Sequence, residues 1–262
     1  MKTRLDAELV RRGLARSRES AVELITTGKV LVTGIRATKA ATQVDAQTSI
    51  TLADEQSEYV SRGGHKLVGA LDSFSQLNVK GKTALDAGAS TGGFTDVLLK
   101  RGVVKVVAVD VGYGQLAWEL QKDERVKILD RVNVRNLTPT QVGEEIDLVV
   151  ADLSFISLKL VLPALISVAK TDADFLIMVK PQFEVGKEKL GAGGVVRDAA
   201  LRKEAVAAVA DAAFSLGLGC LGVVASPLPG PSGNVEYFLW LSKAGQALLE
   251  VDLDLAIERG PA

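Results

Sequence analysis

Cysteine and histidine are almost missing from this 262-residue chain; Cys220 and His65 stand alone. One cysteine cannot close an internal disulfide, and one histidine beside it offers no zinc cluster. A Ser-His-Asp triad would have to be built on His65, whose setting, "GGHKL", reads more simply as the entry to a helix. Long apolar runs are missing too. The longest, "LGLGCLGVVA" around Cys220, falls well short of the roughly 20 residues that a spanning helix needs. The N-terminal "MKTRLDAELVRRG" is charged and lacks an apolar signal core. These absences predict a cytoplasmic protein without stable membrane insertion and without a metal. Excess charge is also lacking. The formal net charge is −1, so any polyanion contact must come from a local patch.

What is present is ordinary for a globular protein: 47% hydrophobic and 24% charged residues. The pattern divides the chain, with expected limits of 1–58 for a small first domain, 59–63 for a linker and 64–262 for a large second domain. In the first part, Leu5, Leu9 and Val10 recur at helical spacing, and Gly13 ends that helix. Ser17 is a candidate N-cap for a second helix carrying Ala21, Val22, Leu24 and Ile25, which Gly28 ends. "KVLVTG" and "TSITLA" read as short strands. Arg4, Arg11, Arg12, Arg16, Arg18, Lys29, Arg36 and Lys39 crowd the first forty residues against only a few acids. Such a face contacts phosphates, or is a set of solvated helix faces.

The second part alternates apolar β-rich runs with helical patterns. "TALDAG", "VVKVVAVDVG", "VKILD", "IDLVVADLS", "DFLIMVKP", "CLGVVAS" and "VEYFLWLS" read as seven strands. "GGHKLVGALDSF", "GFTDVLLKRG", "GQLAWELQ", "LKLVLPALISVAK", "AALRKEAVAAVADAAFSLG" and "KAGQALLEVDLDLAIE" read as helices. The fold class that follows is α/β: a Rossmann-like, mostly parallel seven-stranded sheet covered on both faces, preceded by a small α/β domain.

"KTALDAGASTGGFTD" is the most informative segment. A strand ends in Asp86; Gly88, Ala89, Ser90 and Thr91 form a tight turn; Gly92, Gly93 and Phe94 open a helix. This strand–turn–helix makes a nucleotide-sized cradle. It is neither G-x-G-x-x-G nor a phosphate loop. No Lys or Arg lies between Asp86 and Asp96 to meet a pyrophosphate. An acidic glycine turn suits a cationic or neutral ligand that carries a ribose, and S-adenosylmethionine meets that description. Polar residues end the other strands. Asp110 is placed for ribose hydroxyls, and Asp130 and Asn133 for an adenine edge. Asp152 follows the fourth strand and Lys180 the fifth.

With an activated methyl on a sulfonium, an enzyme must hold an oxygen nucleophile in line and remove its proton. Lys180 is the candidate base. An ordinary lysine, with a pKa of ~10.4, is protonated, and burial beside a second cation would favour its neutral form. Lys66 is the candidate second cation. Glu236 is placed to anchor an ammonium, and with Asp152 it opposes that shift.

These residues carry family resemblances. "SRESAVELITTGKVLVTG", with Arg18 and Gly28 to Gly34, resembles the RNA-binding domain named for ribosomal protein S4. The order Lys66, Asp152, Lys180, Glu236 is similar to the Lys-Asp-Lys-Glu tetrad of FtsJ-like ribose 2′-O-methyltransferases. Together with "SRGGHKL", "DAGASTGGFTD", "ADLSFISL", "KPQFEVG" and "GPSGNVEYF", the chain resembles the TlyA family, some members of which are called haemolysins. The resemblance implies S-adenosylmethionine-dependent methylation of cytidine 2′-hydroxyls in ribosomal RNA, with ribosomal RNA or ribosomal subunits as partners. Actinobacterial members carry Arg-x-Trp-Val between the domains, where this chain has Ser57-Glu58-Tyr59-Val60. Tyr59 keeps an aromatic there, and Glu58 adds a negative charge.

Arg62, Lys187 and Lys189 are further candidates for RNA, the last two in the glycine-rich "FEVGKEKLGAGGVVRD", expected to be a mobile loop beside the active site. Phe155 and Phe183 are candidates to stack the target base or to pack internally. Trp118 and Trp240 read as core or pocket walls, with Trp118 near the cofactor. Two other functions stay open. A nonenzymatic RNA-binding or ribosome-assembly protein would be expected to lose Asp152 or Lys180, and both are present. A membrane-damaging haemolysin would need a spanning or basic amphipathic segment, and none is evident.

Overall fold

A computed structural model describes residues 2–45, 47–52, 58–230 and 232–261. Residues 53–57, which hold Ser57 and most of the polar connection, lie outside the described residues. The chain forms two compact units, Met1–Ser61 and Arg62–Ala262.

The small unit runs β1 (Thr3–Arg4), α1 (Leu5–Arg11), α2 (Arg18–Thr26), β2 (Val30–Val32), β3 (Ile35–Arg36), β4 (Gln43–Val44) and β5 (Ile50–Leu52). The Ser17 hydroxyl accepts from the Ser20 N–H and starts α2 as expected. β1 pairs with β4, and β2 lies between β3 and β5 in an antiparallel sheet. Three of these strands, β1, β3 and β4, are too short for any periodicity to show. The β2–β3 hairpin turns on Thr33 and Gly34, both at positive φ, which is the two-residue geometry that matches strand twist. Leu5, Leu9, Ala21, Ile25, Val30 and Val44 fill its core.

The large unit runs α3 (Gly63–Ser73), β6 (Thr83–Ala87), α4 (Gly93–Lys100), β7 (Lys105–Asp110), α5 (Trp118–Gln121), β8 (Val126–Asp130), α6 (Pro139–Val142), β9 (Ile146–Ala151), α7 (Leu158–Val168), β10 (Ala169–Val179), α8 (Ala199–Ser215), β11 (Gly219–Ala225), β12 (Tyr237–Ser242) and α9 (Glu250–Glu258). The seven strands stand in the order β11-β12-β10-β9-β6-β7-β8. β6 to β10 are parallel; β12 is antiparallel to both β10 and β11. Leu85, Val107, Val149 and Ile177 face a core closed by α7, α8 and α9. The alternate positions meet α3 and α4, with Phe94 stacked on Phe238 and Phe74 tilted against Trp240. Strands buried on both faces explain the unbroken apolar runs.

Three expected helices are trimmed. α7 stops at Val168 because Ala169 turns extended and pairs with Ile146. α5 keeps only its last turn, since Gly114 has positive φ and Ala117 is extended. The stretch from Lys243 to Leu249 is not helical. Gln246 bridges Cys220, and Gly219 lies so close to Gly245 that a Cβ on either would fall within 2.4 Å of the other's backbone.

Candidate active site

β6 is the strand from which the parallel sheet grows both ways, to β7 on one side and β9 on the other. Ligands bind open sheets outside the carboxyl ends at such a point. A cavity of about 500 Å³ opens there and brings together Gly88, Ser90, Asp110, Asn133 and Asp152 from the sequence-derived set. Gly88 has φ +89, and a Cβ on it would come within 2.5 Å of the Asp152 carbonyl oxygen, so glycine is required. The Asp110 carboxylate accepts from the Ser90 N–H at 2.9 Å and the Gly112 N–H at 2.7 Å, which fixes it at the rim. Asn133 spends its oxygen capping a short turn at the Arg135 N–H, leaving its amide nitrogen for other partners.

Asp86 lies beneath this cavity, fully buried. One oxygen accepts from the Thr95 hydroxyl at 2.7 Å, and the other has no protein partner. Burial pushes its carboxyl up to about 7, helped by the charges of Asp152 and Asp110 and opposed by Thr95. Ala89, Thr91, Gly92, Gly93 and Phe94 are off the cavity lining. A Cβ on Gly92 would collide with Leu120. Asp130 is also off the lining, its carboxylate taken by the Gly114 N–H at 2.9 Å. Trp118 is absent from the lining too, being exposed with the Lys122 ammonium 4.1 Å from its ring centre. Trp240 is a core wall bonded to Asp174. Val111 and Gln115 line the cavity instead; both fall in runs read as strand and helix, and the structure places them on the loop between β7 and α5.

A second cavity, of about 730 Å³, shares Ser154, Phe155 and Ile156 with the first and holds Lys180 and Glu236. Lys180 pairs with Asp152 at 2.6 Å and donates to the Ser154 hydroxyl at 2.9 Å. Lys66 pairs with Glu236 at 2.5 Å, both nearly sealed from solvent at 7% and 1% exposure. Val179 is cross-strand from Tyr237, so Lys180 and Glu236 leave β10 and β12 side by side. Gly230 leaves room for the Glu236 carboxylate, since a Cβ there would sit 2.6 Å from its oxygen. All four members of the tetrad thus form two amine–carboxylate pairs on the same rim.

Phe155 and Phe183 meet with ring centres 5.1 Å apart, and Phe155 is 91% exposed with φ +64. An exposed aromatic in that backbone region is costly unless its surroundings hold it. Glu184 supplies one restraint. Its carboxylate accepts from the Ser157 hydroxyl at 2.6 Å and the Leu158 N–H at 2.7 Å, tying the two aromatic loops together. Burial raises its carboxyl above the usual range. Ser154 and Glu184 stand inside phrases that the sequence reading singled out, although neither was marked as a site residue.

In the small unit, two buried carboxylates organise the basic face. Asp6 is met by Arg4 at 2.9 Å and Arg18 at 3.2 Å; Glu8 is met by Arg11 at 2.6 Å and Arg12 at 2.8 Å. Arg12 also donates to the Thr48 and Asp45 carbonyls. Four of the expected RNA arginines therefore have internal partners. Arg16, Arg36 and Lys39 are exposed, and Lys29 is half-buried. In the large unit Arg62 is exposed and precedes α3, while Lys189 pairs with Glu204. Lys187 lies in a short 3-10 turn. Among the described residues no group of three or more His, Cys, Asp or Glu could hold a metal, and no helix is long and apolar enough to cross a membrane.

The FtsJ-like methyltransferase model matches residues 59–243. The chain belongs to the FtsJ-like methyltransferase family. An S4 domain model matches residues 3–50. The 16S/23S rRNA (cytidine-2′-O)-methyltransferase TlyA of Mycobacterium tuberculosis is 59% identical over 98% of this chain and 97% of its own length. Hemolysin A of Brachyspira hyodysenteriae is 35% identical over 89% of this chain and 97% of its own. A solved structure named for a hemolysin from Streptococcus thermophilus is 36% identical, with a TM-score of 0.78, over 98% of this chain and 95% of that one. The TlyA resemblance read from the motifs is thereby borne out along nearly the whole length, and this FtsJ-like chain shares its fold with the hemolysin-named relative.

Proposed function

We propose that this FtsJ-like protein transfers a methyl group from S-adenosylmethionine to the 2′-hydroxyl of a cytidine in ribosomal RNA, acting in the cytoplasm on RNA or on ribosomal subunits. The observation that carries the reading is the meeting of two cavities at Ser154–Ile156, with Asp152 on one and Lys180 and Glu236 on the other. The smaller cavity fits the cofactor. It has an acidic lining, a glycine turn that any Cβ would fill, and an unpartnered Asp86 oxygen beneath it. Asp110 would hold the ribose hydroxyls, Asn133 an adenine edge, and Gly88 and Ser90 the close backbone approach. When bound, the cofactor supplies a methyl group on a positively charged sulfur.

The chain's own residues do the rest. Asp152 and Ser154 hold the Lys180 amine at the junction, facing the larger cavity. Lys66 fixes the Glu236 carboxylate on the same wall, where it can accept from a ribose hydroxyl. Positioning the acceptor oxygen in line supplies most of the rate. The Lys180 amine, held by Asp152 and Ser154, is the group assigned to take the 2′-hydroxyl proton as the acceptor oxygen reacts. Phe155 and Phe183 stack the target base. The S4 unit adds phosphate contacts through Arg4, Arg11, Arg12, Arg16, Arg18, Lys29, Arg36 and Lys39, and Arg62, Lys187 and Lys189 add others from the large unit.

Labelled methyl transfer to ribosomal subunits, read against Asp152→Ala, tests the proposal. Incorporation at cytidine ribose by the native protein alone supports it. No incorporation by either protein, in the presence of tight cofactor binding, rejects the acceptor class. The hemolysin-named relatives motivate one control: lysis of lipid vesicles by the purified protein without cofactor would favour the membrane reading instead.

A further inference from the structure

The larger cavity has a wall made almost without side chains. Gly193 and Gly194, both at positive φ, present backbone to it, with Leu190 beside them. Such a wall lets a flat or sugar group approach closely, but glycines do not hold their own shape. Two anchors hold this one. Val185 and Val196 pack with Ala205 of α8 in a small apolar cluster. The second anchor is a single side chain. Asn234 is 3% exposed, accepts from the Val196 N–H at 2.9 Å and donates to the Gly194 carbonyl at 3.0 Å. Its own backbone carbonyl accepts from the Gly230 N–H at 2.8 Å, and it stands two residues before Glu236. One amide therefore ties the glycine wall to the strand start that carries a tetrad member.

We infer that Asn234 is a positioning residue for the acceptor: it sets the distance between the glycine wall at Gly193–Gly194 and the Lys180–Glu236 side of the cavity. The inference rests on the proposed methyl transfer to RNA and names the element that shapes its acceptor side. The segment expected from sequence to be mobile is, on this reading, held in the free protein by a buried asparagine. The cofactor cavity does not include Asn234. Loss of the tether should therefore weaken acceptor binding and spare cofactor binding.

The test compares Asn234→Ala and Asn234→Asp in the full chain. Asp keeps an oxygen for the Val196 N–H but sets a second oxygen against the Gly194 carbonyl. In the Ala variant, KM for ribosomal RNA should rise roughly tenfold, the weight of a buried hydrogen bond or two. kcat should stay within about threefold, and the cofactor Kd from calorimetry should not move. Hydrogen exchange of the free protein gives a readout that needs no reaction. The Val196 amide should exchange faster in Asn234→Ala and stay protected in Asn234→Asp. Unchanged Val196 exchange in the Ala variant, or a fall in kcat at unchanged KM, would overturn the inference. A native protein that binds cofactor but methylates no RNA would sink the functional reading, while the exchange comparison would still judge the tether.

Discussion

If the smaller cavity takes S-adenosylmethionine as proposed, Asp86 should make that binding depend on pH. Its carboxyl sits at about 7 in the free protein because it is buried with two other acids nearby. Moving a carboxyl from its usual value to that one costs on the order of 4 kcal/mol in the ionised form. For the free protein the sign is set by that rise: stabilisation from the protonated group is full below the unfolded value and is lost as pH rises through about 7. A cationic ligand prefers the ionised form. Between pH 8 and pH 6 its apparent affinity should therefore fall about tenfold, and at pH 6 binding should release close to one proton per site. The cofactor's own α-amino group, with a pKa of ~7.7–8.0, works against this at higher pH. Asp86→Asn cancels that contribution, since the variant has the same ligand and no carboxyl. Calorimetry of S-adenosylmethionine from pH 6 to 8, in two buffers of different ionisation heat, supplies both numbers. Equal Kd ratios for the native protein and the Asp86→Asn variant would refute the reasoning.

Lys180→Arg keeps the charge and the pair with Asp152 but cannot accept a proton, so kcat should drop roughly 10²–10⁴-fold with cofactor Kd unchanged; an active Arg variant with the native pH profile would exclude the base role. Gly88→Ala meets both positive φ and the Asp152 carbonyl, and should cost about 1–3 kcal/mol in denaturant unfolding and abolish cofactor binding. Glu184→Ala strands the Ser157 hydroxyl and the Leu158 N–H, and should lower kcat more than Glu184→Gln, which keeps an oxygen for the Leu158 N–H and offers an amide N–H that the rotatable Ser157 hydroxyl can accept. Asp6, held at about 2 chiefly by the Arg4 hydrogen bond, adds stability that is present above the unfolded value and lost as pH falls through 2; an Asp6→Asn protein should show a flatter acid-unfolding curve between pH 4 and pH 2.

How much of this was legible depends on the residue. The parallel strands were readable because burial on both faces leaves unbroken apolar runs. The glycine turn was readable because Gly88 and Gly92 need positive φ, which few other residues tolerate. The acidic strand ends were readable as a set but not singly. Asp110 and Asp130 look alike in sequence, yet Asp110 reaches the cavity while Asp130 bonds Gly114. The arginines of the small unit were visible as charge; their pairing on Asp6 and Glu8 needed the helix to form first. Asn234 and Glu184 fall within the phrases "GPSGNVEYF" and "KPQFEVG", but their roles were not legible, since the work of a buried polar side chain is known only by what it meets. The trimmed helices went unseen because tertiary contacts, such as the Gly219–Gly245 approach, overrode local propensity.

The proposed tetrad shows how topology brings four distant side chains to one rim. Asp152 and Lys180 follow parallel strands β9 and β10, so both fall on the carboxyl rim without further help. Glu236 comes before its strand. Had β12 run parallel to β10, the start of that strand would lie at the opposite rim, a strand length away at about 3.3 Å per residue. Antiparallel pairing brings Glu236 back beside Lys180. Lys66, from the helix before β6, then completes the pair across 170 residues of chain. A buried glutamate without that amine would leave a bare charge, and a buried lysine without that carboxylate would do the same. Neither can be removed alone without the site rearranging. Substituting both at once, Lys66→Met with Glu236→Gln, should therefore cost less stability than the sum of the single changes while restoring no activity, which separates their packing role from their part in the reaction.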